Sequence, residues 1–242
     1  VLSGMNVEMP GDPNQPQHIN SVRGLLAAGE ITEQNIDDMI RPMIATCIRF
    51  GLYERFKNGQ PNEDALESKF PHHEQVSYQT AAEGSILLKN DGILPLKEGQ
   101  QVLLVGRWAK TVPQGGGASC VRGFNLVTPE QALLSALRAN VKAVEKPNFI
   151  QLQKADIVVV ATGTYDSENI ERPFAMEEED EALVRMACAA NKKVIVLVLS
   201  GSGVDMSAWH DKVSAIIYGW YPGQSGMQAI ADIIVGKVNP SG

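Results

Sequence analysis

The chain has 242 residues and a formal net charge of −7, with 21 Lys+Arg against 28 Asp+Glu; 44% of its residues are hydrophobic, enough for a sizeable core. The acidic balance argues against nucleic acid as a partner, since phosphate binding needs a basic footprint, and no apolar run approaches the roughly 18–20 residues of a membrane span. Three scattered Cys (Cys47, Cys120, Cys188) form no disulfide framework, and four His leave little material for a metal site.

Residues 1–20 are rich in Pro, Gly, Asn and Gln and read as loop. Residues 20–54 read as helical, and the clearest helix begins after Thr32. Ile31 and Ile36 occupy the positions of a hydrophobic staple around a Thr cap. Ile36, Met39, Ile40, Met43, Ile44 and Cys47 follow a 3.6-residue period, and Gly51 is a stop signal. Pro42 should kink this helix or remove one of its hydrogen bonds. Residues 55–75 are polar and read as a linker. A helix over 78–90 is expected to lead into the turn Asn90-Asp91-Gly92.

Beyond that turn, short apolar runs alternate with helical stretches. The runs 102–105, 157–160, 194–199 and 215–218 are continuous and rich in β-branched residues, so they read as strands buried on both faces. Helices are expected at 129–139, 177–190 and 224–236. Alternation of this kind predicts an α/β fold with a mainly parallel sheet covered on both sides. Ligands bind such sheets beyond the carboxyl ends of the strands. Those ends are Gly106-Arg107, Gly163 to Asp166, Ser200 to Ser202 and Trp220 to Gly223.

The loop Tyr165 to Pro173 is the most charged of these ends. A carboxyl group there, oriented by an adjacent Arg, has the make-up of a general acid; a solvated polar loop is the plainer reading of the same spacing. Gly115-Gly116-Gly117 lacks both the P-loop ending and the strand–glycine–helix dinucleotide pattern, so it reads as a flexible surface turn. Residues 200–203 form no nucleophile elbow. The acidic run Glu177 to Glu181 opens a helix, where negative charge suits the helix dipole. His72-His73 falls in the linker. Trp209, Trp220 and Tyr221 have the shape to stack on a sugar, although such residues more often fill cores.

Taken in order, several segments resemble glycoside hydrolase family 3, the group containing many β-glucosidases. SGMNVEMPG, at the start, resembles that family's AGLDMEMPG. IDDMIRPMIATCIRFGLYER resembles its helix ending Arg-x-Gly-Leu-Phe. AAEGSILLKNDGILPL is close to its A-x-E-S-I-V-L-L-K-N-D-x-x-L-P-L. GGGASCV followed by Thr128-Pro129-Glu130, then WYPGQ and NPSG, complete the series.

The resemblance implies a three-layer α/β/α sandwich with a mainly parallel sheet, preceded by the C-terminal remnant of a (β/α)8 barrel. Residues 1–55 would end the barrel, 56–77 would be the interdomain linker, and 78–242 would form most of the sandwich. It implies a retaining, exo-acting, β-glucosidase-like enzyme acting on oligosaccharides or aryl and alkyl glycosides. No metal or organic cofactor is expected. The nucleophile, an Asp in a Ser-Asp-Trp motif, would lie upstream of Val1, so the 242 residues alone are expected to be inactive.

Ser167-Glu168-Asn169-Ile170-Glu171-Arg172 stands where the family carries its acid/base loop. Glu168 is therefore the candidate catalytic acid/base, and Glu171 and Arg172 the candidate braces. Ser119 stands near a sugar-contacting Ser of some members and is the candidate substrate-binding residue. Asn169 replaces a Gly, which matters if that position needs positive φ. The Leu-Pro and Gln that the family carries before its next helix are absent, with Ala175-Met176-Glu177 there instead. These departures keep open a catalytically inactive member of the family, acting as a carbohydrate-binding or scaffold protein. An unrelated nucleotide-binding domain is the remaining alternative, with little to support it. The resemblance favours a periplasmic or secreted protein.

Overall fold

The computed structural model describes residues 2–7, 17–59, 66–121, 123–138 and 141–242, with the backbone alone at 17–20. Parts of the predicted N-terminal loop (8–16) and of the predicted linker (60–65) lie outside the described residues, as does residue 139 of the expected 129–139 helix. The chain divides into two compact units, Val1–Ser68 and Lys69–Gly242.

Among the described residues the first unit includes the helices α1 (Gln17–Ala27), α2 (Glu33–Arg49) and α3 (Leu52–Asn58). The expected cap forms at α2. The Asn35 N–H donates to Thr32 Oγ1 at 3.3 Å, and the Thr32 N–H donates back to Asn35 Oδ1 at 2.9 Å. This reciprocal pair satisfies two backbone donors that a helix start leaves open. Gly51 ends the helix in the left-handed region at φ 67°, where a Cβ would be strained. Helix α2 continues through Pro42, and its apolar Ile40, Met43, Ile44 and Ile48 are exposed.

The second unit is a six-stranded sheet between helices. Helix α4 (Phe70–Gly84) is followed by β1 (Ile86–Asn90), β2 (Val102–Val105), α5 (Pro129–Leu137) and β3 (Val141–Val144). Then come α6 (Phe149–Lys154), β4 (Ile157–Gly163), α7 (Glu178–Ala190), β5 (Val194–Leu199), β6 (Ala215–Tyr218) and α8 (Gly226–Ile234). The strand order is β1-β6-β5-β4-β2-β3. All neighbours run parallel except β1, which lies antiparallel to β6 at the edge.

Alternate residues of the strands face opposite ways. Leu104, Val159, Ile195, Leu197 and Ile217 pack with α5 and α8 through Leu133, Leu137, Ile230 and Ile234. Leu103, Val158, Val160, Val196 and Val198 pack with α6 and α7 through Leu152 and Val184. These are the two apolar layers of an α/β/α sandwich. Helix α4 is tied to the first layer by the Tyr78 hydroxyl, which donates to Asp232 Oδ2 at 2.8 Å. Burial and that carboxylate push the phenol up to about 12.

The expected helix over 78–90 is corrected. The helix starts earlier, at Phe70, and ends at Gly84, where Ser85 turns extended. Ile86–Asn90 is a strand, because the open edge of β6 supplies backbone partners that outweigh the helix preference of Leu-Leu-Lys. Helix α4 also takes in His72 and His73, so this pair is helical and not part of a linker. Strand β3 and helix α6 were not foreseen: both are short, and β3 is only partly buried at an edge.

Candidate functional site

The sheet changes winding direction between β2 and β4. The chain leaves β2 for β3 on one side and leaves β4 for β5 on the other. The carboxyl edge at such a divergence is the usual place for a ligand. Here the loops after β2 and β4 meet. Gly163 ends β4 at φ 152°, with its Cα against the backbone of Leu199, so only a residue without a Cβ fits.

The Gly115–Gly117 turn is not a loose surface turn. Gly115 and Gly116 are buried, and the Gly116 N–H donates to the Asp166 carbonyl at 2.8 Å. Gly116 and Ser167 form an isolated parallel β-bridge. A Cβ at Gly117 would lie 2.8 Å from the Glu168 Cβ. The absence of side chains is what lets the two loops come together.

Glu168 stands exposed at the tip of the β4 loop. The Ala118 N–H donates to its Oε2 at 3.2 Å. The tip is a tight turn in which the Ile170 N–H donates to the Ser167 carbonyl at 3.2 Å. Asn169 occupies this turn at φ 61°, so the position does need positive φ, and Asn is among the residues that accept it.

The loop is braced by Asp166 and Arg172. Arg172 Nε lies 2.5 Å from Asp166 Oδ1, and Arg172 Nη2 donates to Ser202 Oγ at 2.8 Å and to the Gly203 carbonyl at 3.0 Å. The Asp166 carboxylate also accepts from Ser202 Oγ at 2.9 Å, Thr164 Oγ1 at 2.8 Å and the Gly201 N–H at 2.8 Å. Burial works against its charge, but the bonds from Thr164, Arg172, Ser202 and Gly201 outweigh it and hold the carboxyl well below the usual range. The Tyr221 hydroxyl accepts from the Asp166 N–H at 2.7 Å and lies 2.9 Å from the Thr164 carbonyl, which stitches in the loop after β6.

The expected site residues are thus placed as follows. Glu168 and Ser119 lie on the two facing loops, and the Ser119 hydroxyl donates to the Gly116 carbonyl at 2.8 Å. Arg172 is central to the brace. Glu171 is exposed and forms no ion pair among the described residues; the carboxylate that meets Arg172 is Asp166. Asp166 and Ser202 were not singled out by the sequence, and Tyr221 stood there as a ring that could stack on a sugar, whereas its hydroxyl bonds to Asp166 and Thr164. Asp166 is six positions before Arg172, and the short charged loop was the signal available. Trp209 is wholly buried, while Trp220 packs edge-on against Tyr218 at 4.8 Å. Among the described residues no group of three His, Cys, Asp or Glu is placed to hold a metal, and no helix is long and apolar enough to cross a membrane.

Fold and loops together define an α/β sandwich domain that presents a carboxylic acid at the carboxyl edge of its sheet. Residues 85–242 match the glycosyl hydrolase family 3 C-terminal domain, and the chain belongs to that family. It is 29% identical to an exo-α-(1→6)-L-arabinopyranosidase of Bifidobacterium longum, over 99% of this chain and 34% of that protein. It is 30% identical to an exo-1,4-β-xylosidase of Aspergillus niger, over 100% of this chain and 33% of that protein. Its fold matches the β-D-glucoside glucohydrolase of Trichoderma reesei with a TM-score of 0.81 at 21% identity, over 100% of this chain and 39% of that one. The chain spans about a third of the length of the curated relatives it matches.

Proposed function

We propose that this chain is part of an exo-acting, retaining β-glycosidase of the β-glucosidase type, with Glu168 as the acid/base. The observation that carries the reading is the position of Glu168 in a family 3 sandwich domain, at the tip of a loop braced by Asp166 and Arg172. Residues 1–55 would end the barrel domain, and an Asp outside this chain would be the nucleophile. A carboxylate oxygen of that Asp attacks the anomeric carbon as the bond to the leaving oxygen breaks. The Glu168 proton passes to that oxygen. Glu168, now a carboxylate, takes a proton from water, whose oxygen attacks the same carbon and displaces the Asp. Two inversions give retention, which requires the carboxyls to stand about 5–5.5 Å apart. Ser119, on the facing turn, would contact the sugar. The mechanism calls for no cofactor.

The test is Glu168→Gln in the complete protein. Loss of a general acid should slow glycosides with poor leaving groups by about 10²- to 10⁴-fold, and 2,4-dinitrophenyl glycosides much less. Equal slowing of both substrates would remove Glu168 from the acid role. Binding of glycosides without any turnover by the unmodified protein would instead favour a carbohydrate-binding member of the family.

A further inference from the structure

Two charged residues outside the brace meet beneath the facing loops. Arg107 is the second residue after β2, and Asp180 lies in the first turn of α7. Arg107 Nη2 stands 2.6 Å from Asp180 Oδ2, with side-chain exposures of 32% and 6%. The wholly buried Thr162 hydroxyl of β4 lies near the same carboxyl and makes no hydrogen bond among the described residues. Burial pushes the Asp180 carboxyl up, and Arg107 works against that push. The sequence reading placed Asp180 among acids that merely open a helix. Its neighbours in that run, Glu178 and Glu179, are exposed, and Asp180 is not.

The backbone on each side of Arg107 is also held. The Gly106 N–H donates to the Glu145 carbonyl just past β3, and the Trp108 N–H to the Ala161 carbonyl of β4, each at 3.2 Å. Beyond Trp108 the chain runs to Gly115–Ser119, which carries the N–H bonded to Glu168. Beyond Thr162, β4 runs into the Glu168 loop itself. Asp180 stands where that loop returns to regular structure. The ion pair therefore joins the exit of β2 to the entry to α7, and the Trp108 N–H ties the same stretch to β4. An exposed pair of this kind would contribute little, but here Asp180 is buried, so removal of Arg107 leaves its carboxyl in the interior without its counter-charge.

We propose that Arg107 and Asp180 are positioning residues for the acid/base: the pair sets the spacing between the Gly115–Ser119 turn and the Glu168 loop, and through the Ala118 N–H it orients the Glu168 carboxyl. The proposal rests on the reading of Glu168 given above.

The test uses Arg107→Gln and Asp180→Asn in the complete protein, with hydrogen exchange read at the Gly116 and Ala118 amides. Rates are measured on 2,4-dinitrophenyl and phenyl β-D-glucosides, with the xylosides in parallel. Both amides should exchange about tenfold faster or more, while the β4 and β5 ladders stay protected. kcat/KM on the phenyl glycoside should fall about tenfold or more, and on the dinitrophenyl glycoside by less than about threefold. Arg107→Lys, which keeps the charge, should recover most of the loss; it also carries both readouts if Asp180→Asn fails to fold. Unchanged exchange at both amides, or equal slowing of the two substrates, would overturn the proposal. Glu168→Gln run alongside separates the two ideas: if it slows both substrates equally, the acid role falls, and the exchange rates alone decide whether the pair orders the loops.

Discussion

At Asn169 one dihedral angle decides which side chains the loop accepts. Its φ of 61° suits Gly and, among other residues, Asn. Asn169→Val should therefore destabilise the tip by about 1–2 kcal/mol, the cost of left-handed backbone for a Cβ-bearing residue, while Asn169→Gly should fold at least as well. Thermal melts paired with turnover in the complete protein would check this. Asp166 makes a prediction about pH. Its folded carboxyl titrates below the ordinary value near 3.8, so the fold favours the charged form. The stabilisation is present above that ordinary value and is lost as pH falls towards the folded one. Asp166→Asn should cost about 2 kcal/mol at pH 7, as expected for hydrogen bonds to a charged group. The gap between wild type and variant should shrink below about pH 4. Urea unfolding at pH 3, 5 and 7 would show it, and a gap independent of pH would refute the assignment.

At the scale of elements, caps and close approaches hold the loops in register. Helix α5 starts at a capping box in which the Gln131 N–H donates to Thr128 Oγ1 at 3.3 Å and the Thr128 N–H to Gln131 Oε1 at 2.9 Å. Thr128→Ala should cost about 1 kcal/mol, measured by denaturant unfolding with an unchanged slope. Gly163 is the sharper case. A Cβ there would collide with the Leu199 backbone, which belongs to β5 and has nowhere to move. Gly163→Ala should cost about 3 kcal/mol and loosen the Glu168 loop at its root. The Thr32 cap of α2 was legible because a cap spans only a few residues; the Thr128 box was not read from the sequence, although it is as local. Gly163 was legible only as a glycine; its partner is a carbonyl on another strand.

For the whole molecule, the 242-residue chain alone should show no turnover of aryl glycosides, because the proposed nucleophile lies outside it. Sustained turnover by the purified chain would refute that. The sequence by itself determined the layered α/β sandwich, since the four continuous β-branched runs and the helices between them repeat on local spacings. It also determined the motifs that resemble family 3, and with them the candidate Glu168. Only the tertiary structure decided which carboxylate meets Arg172, why Gly115–Gly117 must lack side chains, that Ile86–Asn90 is an edge strand, and that Arg107 finds Asp180. The physical reason is distance along the chain. Periodicity and caps act over three or four residues, whereas Ala118 reaches Glu168 across 50 positions and Gly201 reaches Asp166 across 35. Such contacts exist only once the sheet has brought its carboxyl ends together.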